Sequence, residues 1–179
     1  MNTFAMDRSM LVGAALLAVL VVCCWTDVTA RRIPNLVTVA GMLLGVGLHA
    51  VQGPRPLIGS LLGIATAGLV ALPFFAAGVL GGGDGKLLMV VGSFFGPVQF
   101  LWASLAIAVA GGILALGEAA RRGMLRPVLA SCGRLLLGWL TSSPRYGSAL
   151  ALREPLAVPY GLAIGMGSGF WWFFGAGLL

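Results

Sequence analysis

Acidic side chains are scarce in this sequence. Only five occur among 179 residues: Asp7, Asp27, Asp84, Glu118 and Glu154. Charged residues of both signs make up 9%, against 59% hydrophobic residues and a mean hydropathy of +1.02, and this balance excludes an ordinary soluble domain. Histidine occurs once, as His49, with no cysteine or carboxylate near it in sequence, so no metal site is expected there. The three cysteines, Cys23, Cys24 and Cys132, form no C-x-x-C pair, which excludes a zinc-type spacing and a disulfide framework and leaves them as small packing residues. The net charge of +6 would suggest nucleic acid in a soluble protein. In a chain this apolar the position of the basic residues carries more meaning than their sum, and no nucleic-acid partner is expected.

What is present is a series of apolar stretches, at 10–25, 36–51, 57–80, 87–95, 98–116 and 158–178. A crossing needs about 20 residues, so the pattern predicts an all-α polytopic membrane protein of about six segments, with 87–95 the short one. Because apolar stretches recur from Met10 onward, the first is read as a span and not as a signal peptide. Gly96-Pro97 ends the short segment, since proline cannot continue the helical ladder, and a turn with return through 98–116 is expected there. Residues 118–155 interrupt the apolar pattern with six arginines and are expected to form a basic cytoplasmic loop within a single domain spanning 1–179. Inside it, 127–140 reads as an amphipathic helix resting on the anionic lipid surface. The alternative is a further crossing, but Arg134 at its centre would cost roughly 2.5–3.5 kcal/mol.

If the N-terminus lies outside the cytoplasm, Arg31, Arg32, Lys86, Arg121, Arg122, Arg126, Arg134, Arg145 and Arg153 fall inside. Only Arg8 and Arg55 then remain outside, which fits the excess of basic residues on cytoplasmic loops. Both termini are accordingly expected outside the cytoplasm.

Asp7 precedes the first span, and Glu118 and Glu154 bracket the basic loop, so all three can sit in water. Asp27 follows the first apolar span within Trp25-Thr26-Asp27-Val28, and Asp84 sits in Gly81-Gly82-Gly83-Asp84-Gly85-Lys86. Two crossings separate them, and two crossings return the chain to its starting side. Both carboxylates are therefore expected at one membrane edge, able to meet across a helix interface. Two carboxyl groups close together in a poorly solvated site share one proton. The ionised member can activate a water while the neutral one polarises a peptide carbonyl, which is hydrolysis without metal or cofactor. Gly81, Gly82, Gly83 and Gly85 are expected to permit unusual backbone angles, so that an extended substrate backbone can approach Asp84.

The pattern Gly81-x-Gly83-Asp84-x-Lys86, with Asp27 followed by Arg32-Ile33-Pro34-Asn35, resembles the type IV prepilin peptidases, which pair an aspartate after one helix with that of a G-x-G-D motif. Pro159-Tyr160-Gly161-Leu162-Ala163-Ile164 is similar to the opening of the last helix in short members. The resemblance implies that Asp27 and Asp84 are catalytic and that Gly81 and Gly83 shape the site; Lys86, by its own position, could tune the acidity of Asp84 or hold substrate. It implies cleavage of a prepilin or pseudopilin, basic leader then apolar helix, at the cytoplasmic face of a bacterial inner membrane. It also implies a short form without the methyltransferase domain, as in tight-adherence (Flp-type) pilus systems.

Blander roles stand beside these. Asp27 could pair with Arg31 or Arg32, Asp84 could cap a helix, and Lys86, like Arg31 and Arg32, could be a topological anchor. Gly41, Gly45, Gly59, Gly63, Gly161, Gly165 and Gly169 read as close-packing positions, and Phe170-Trp171-Trp172-Phe173-Phe174 as an interfacial aromatic belt. The rival functions are an ion-conducting transporter or channel, a non-enzymatic pilus-assembly protein, and a member of the presenilin or signal-peptide-peptidase group. That group also carries G-x-G-D, but there the first aspartate usually follows a tyrosine where this chain has Thr26.

Overall fold

A computed structural model describes residues 3–30, 33–78, 80–130, 133 and 160–175. Every regular element among them is helical: α1 (Thr3–Ala30), α2 (Asn35–Gln52), α3 (Pro54–Ala76), α4 (Gly82–Arg121) and α5 (Tyr160–Phe170), which ends in a π-helical turn, Trp171–Gly175. Four helices among the described residues are long and apolar enough to cross a membrane. The all-α, polytopic expectation is met.

The helix boundaries follow from proline and glycine. Pro34 holds an extended conformation (φ −64°, ψ 129°), and its carbonyl accepts from the N–H groups of Val37 (3.1 Å) and Thr38 (3.3 Å) to open α2. Gly53, at φ 128°, closes α2 in a region L side chains avoid, and Pro54 starts α3 at once, where a missing N–H costs nothing. α4 is broken at Gly96, whose φ of 72° and ψ of 178° are not helical. Pro97 follows and cannot donate to the carbonyl four residues back, that of Ser93. The Ser60 hydroxyl of α3 donates to that carbonyl instead, at 2.7 Å, with both serines buried. A polar group freed inside an apolar environment is thereby satisfied by a neighbouring helix.

The chain divides into two compact units, Met1–Gly111 with Pro159–Leu179, and Gly112–Val158. In the first unit the direction of each helix can be read from its neighbours. The limb of α4 before Gly96 runs parallel to α2, with Lys86 beside Asn35 and Phe94 beside Gly45. Along α3 it runs antiparallel, Met89 meeting Gly68 and Gly92 meeting Gly63. Beyond Gly96 the chain turns back. Gln99 bonds Trp171, Ile107 meets Gly167 and Gly111 meets Ala163, so this limb is antiparallel to α5. α5 is in turn antiparallel to α1, from Gly161 against Asp27 to Trp172 against Gly13. The turn expected at Gly96-Pro97 is therefore present. One end of the unit gathers Asp27, Ile33, Gly83 and Gly161, and the other gathers Gly13, Gly53, Gly96 and Trp172.

The core of this unit is built from Leu16, Leu20, Leu87, Val90, Val91, Phe94, Phe100 and Ile164, with Ala67 and Ala71 at close contacts. Large apolar side chains cover the outside, among them Val21, Leu36, Leu43, Leu69, Leu105 and Phe173. A soluble surface does not carry such a continuous coat, whereas a lipid-facing one does.

Two sequence expectations change here. Gly82 through Lys86 are already helical, and among the described residues the glycines at positive φ are Gly53, Gly78, Gly96 and Gly123. The glycines around Asp84 thus adopt no unusual angles, and what they contribute is the lack of a side chain. The aromatic cluster also divides by direction. Trp171 and Trp172 are half-buried, stacked on Trp102 and Phe95 with centroids 6.2 and 5.8 Å apart, while Phe170, Phe173 and Phe174 face outward. In the second unit, residues 125–130 are helical, and the remainder of the amphipathic helix expected at 127–140 lies outside the described residues apart from Gly133.

Candidate active site

Of the five acidic residues, Glu118 belongs to the second unit. It is bound there by Arg121 at 3.0 Å and Arg122 at 2.6 Å, a local surface network. Glu154 and the side chain of Asp7 lie outside the described residues. Asp27 and Asp84 remain.

Asp27 sits in the last turns of α1 and is 8% exposed. The carbonyl end of a helix carries partial negative charge, so a carboxylate is disfavoured there unless something opposes it. The opposition comes from α5: the backbone N–H of Gly161, in its first turn, donates to Asp27 Oδ2 at 2.8 Å. That N–H belongs to the positive end of α5, where unpaired amide groups favour an anion. The carbonyl of the same glycine accepts from the Cys24 thiol at 3.2 Å. A Cβ on Gly161 would stand 2.7 Å from Asp27 Oδ2 and 3.0 Å from its Cβ, so only glycine fits without displacement.

Asp84 sits in the first turn of α4, half-buried, and its Oδ2 accepts from the Gly81 N–H at 3.2 Å. Asp84 is therefore not the N-cap considered from sequence: the helix already begins at Gly82, and the Asp84 carboxylate reaches back from inside the first turn to the N–H of Gly81. The other oxygen of the carboxyl has no hydrogen bond among the described residues. The Asp27 carboxylate acts electrostatically on Asp84, so the two acids lie within range of each other at one end of the unit. Gly83 packs against Ile33, from which a Cβ would stand 3.2 Å. Lys86 donates from Nζ to Asn35 Oδ1 at 2.8 Å. Gly81 is exposed at the entrance to α4.

His49 donates to or accepts from no group of this cluster; its Nδ1 lies 2.8 Å from the Gly45 carbonyl in its own helix. Arg31 and Arg32, the sequence-level partners considered for Asp27, lie outside the described residues. Among the described residues no group of three or more histidine, cysteine or acidic side chains is placed to hold a metal ion. An apolar groove of about 410 Å³ runs between α1 and α5 beside this cluster, lined among others by Leu20, Cys24, Val28, Leu162 and Met166.

Sequence reasoning placed Gly161 among close-packing positions and Cys24 among packing residues. It did not connect either to Asp27. The available signal was the start of an apolar segment at Tyr160, whose N-terminal amides must bond something, but the sequence does not say what stands opposite.

The fold and the site together define a multi-pass helical membrane protein with two carboxyl groups at one end of its bundle. A family model described as the type IV leader peptidase family matches residues 14–116, more than half of the chain, and the chain belongs to that family of membrane-bound, aspartic-type peptidases. The match contains Asp27, Asp84 and the turn at Gly96, and it ends before α5. No curated protein and no solved structure matches the chain.

Proposed function

We propose that this protein is a prepilin leader peptidase, residues 1–179 forming one peptidase domain in which Asp27 and Asp84 are the catalytic pair. The observation that carries this reading is that Asp27 and Asp84 lie at one end of the helical bundle, each carboxylate held by a backbone N–H and near enough for the charge of Asp27 to act on Asp84. Buried acids in membranes are expensive, and function is the usual reason for their retention.

One carboxylate takes a proton from a water held between the pair, and the resulting hydroxide attacks the scissile carbonyl carbon. The other carboxyl group hydrogen-bonds the carbonyl oxygen and then gives its proton to the leaving nitrogen as the C–N bond breaks. The products are a leader ending in a carboxyl group and a mature chain with a free amine. Neither metal nor cofactor takes part.

The substrate class follows from the family and from the placement of the site at one end of an apolar bundle. A pilin precursor presents a basic leader and then an apolar helix, so the cut falls where the lipid ends. Gly81, exposed beside Asp84, leaves room for an extended backbone, Gly83 lets Ile33 pack closely and so shapes the site, and Lys86 borders the same entrance. Placement in a bacterial inner membrane, with the Asp27 end cytoplasmic and both termini outside, matches the excess of basic residues expected on that side.

Co-expression with a candidate prepilin, leader removal being read as a gel shift, tests the proposal. Wild type converts the precursor, and Asp27→Asn and Asp84→Asn accumulate in the membrane without converting it. Normal processing by either variant overturns the assignment and returns the chain to the transporter or assembly readings.

A further inference from the structure

We infer that Gly161 and Cys24 are positioning residues for Asp27, and that α5 is part of the catalytic apparatus through its first turn. The inference rests on the reading of Asp27 as a catalytic carboxylate.

The geometry is a closed loop of contacts. Asp27 and Cys24 stand one turn apart on α1, so their side chains share a face. Both reach the same residue of α5, 134 and 137 positions away: Gly161 N–H donates to Asp27 Oδ2, and Gly161 C=O accepts from Cys24 Sγ. One glycine is therefore held from both sides by a single face of α1. This fixes one oxygen of Asp27 in direction, and the other oxygen is left to address a water.

The arrangement also separates the two acids by role. Asp84 takes its N–H from Gly81 in its own chain segment, at 3.2 Å and half-exposed. Asp27 is buried, lies at the unfavourable end of its own helix, and takes a shorter bond from the favourable end of another. Among the described residues, the groups near Asp27 are Cys23 and Cys24 on α1, Asp84 from α4 and the first turn of α5. Of these, α5 supplies the hydrogen-bond donor, which fixes Asp27 in direction, and the geometry assigns Asp27 the role of base toward water, with Asp84 as the acid.

The test compares four variants of the full chain with wild type, on a synthetic substrate with a basic leader and an apolar helix. Gly161→Ala drives the N–H away from Asp27 and is expected to lower kcat about 100-fold, the scale of a misplaced reacting group, with KM changed by less than about twofold. Cys24→Ala adds no bulk and loosens only the far side of the clasp; its kcat falls about fivefold, the thiol being a weak donor. Cys24→Ser restores a donor and recovers kcat. Gly41→Ala crowds α1 against α2, with a Cβ 2.9 Å from Val19 and 3.1 Å from Val90, remote from Asp27. It leaves kcat unchanged and so controls for packing. A wild-type kcat in Gly161→Ala overturns the inference, as does a Cys24→Ser enzyme as slow as Cys24→Ala, or an equal loss in Gly41→Ala. Asp27→Asn is assayed alongside. If it cleaves normally, the functional reading fails first; if it is inactive while Gly161→Ala is normal, only the positioning role fails.

Discussion

Lys86 and Asn35 are 51 residues apart in sequence and are joined by a 2.8 Å hydrogen bond from Nζ to Oδ1. The bond ties the start of α4 to the start of α2 two residues beyond Asp84, and a group engaged in this way acts first as a strut. Exposed polar ties are worth about 1 kcal/mol. Lys86→Met and Asn35→Ala are each expected to lower kcat/KM about three- to tenfold, and the double variant is no slower than either single one. A KM rise in Lys86→Met alone would show instead that Lys86 grips substrate. Steady-state cleavage assays on the three variants separate the two.

A pair that shares one proton functions as a unit, so its members do not contribute additively. Asp27→Asn and Asp84→Asn are each expected to reduce the cleavage rate by about 10²–10⁴, the range attributable to general acid–base catalysis. The double variant falls no further. Rates normalised to the folded enzyme in each membrane preparation check this, and a double loss equal to the product of the single losses would mean that the acids work independently.

Legibility in the sequence followed chemical scarcity. With five acids in the chain, eliminating those that can sit in water left Asp27 and Asp84, and counting crossings placed both at one end. Gly96-Pro97 was legible because a glycine free to leave helical angles stands directly before a proline that cannot continue the ladder, whereas Pro73 alone leaves α3 unbroken. The glycines around Asp84 were expected at unusual backbone angles and are not, because glycine permits both a turn and a helix, and sequence does not distinguish them. Nor did it expose the clasp on Asp27, since Gly161 acquires that role only once α5 packs antiparallel on α1. Ser60 is a similar case: its bond to the Ser93 carbonyl has meaning only after Pro97 has freed that carbonyl and α3 lies alongside.

The close-packing glycines sort by what a methyl group would meet. Gly63 and Gly92 bring α3 and α4 together backbone to backbone; a Cβ on Gly63 would stand 2.8 Å from the Gly92 carbonyl carbon and from Gly96 Cα. Backbone cannot rotate out of the way, so Gly63→Ala is expected to cost about 1–3 kcal/mol, the usual range for overpacking. A Cβ on Gly59, one turn earlier, would meet nothing within 4 Å. Gly59→Ala is therefore neutral or slightly stabilising, because alanine is the better helix former. Thermal unfolding in detergent should rank Gly63→Ala well below wild type and Gly59→Ala at or above it. A similar drop in both would mean that α3 and α4 do not meet where the structure has them.

The turn at Gly96 makes a prediction about sidedness. Arg55 stands at the start of α3 and Lys86 near the start of α4, at opposite ends of the first unit. If the cytoplasmic side is the Asp27 end, Gln52 and Val98 both face outward across the membrane, although two limbs of helix separate them, while Pro34 and Ala77 face inward. All four are exposed. Single cysteines at these positions, in a background with Cys23→Ala, Cys24→Ser and Cys132→Ser, are to be treated with a membrane-impermeant maleimide. In intact spheroplasts Gln52→Cys and Val98→Cys are expected to label, and Pro34→Cys and Ala77→Cys only after permeabilisation. Labelling of Val98→Cys together with Ala77→Cys would mean that the chain does not travel from one side to the other between Gly82 and Gly96. The reversed pattern at all four positions would keep the fold and turn the site to the outer face, where a prepilin leader retained in the cytoplasm could not reach it.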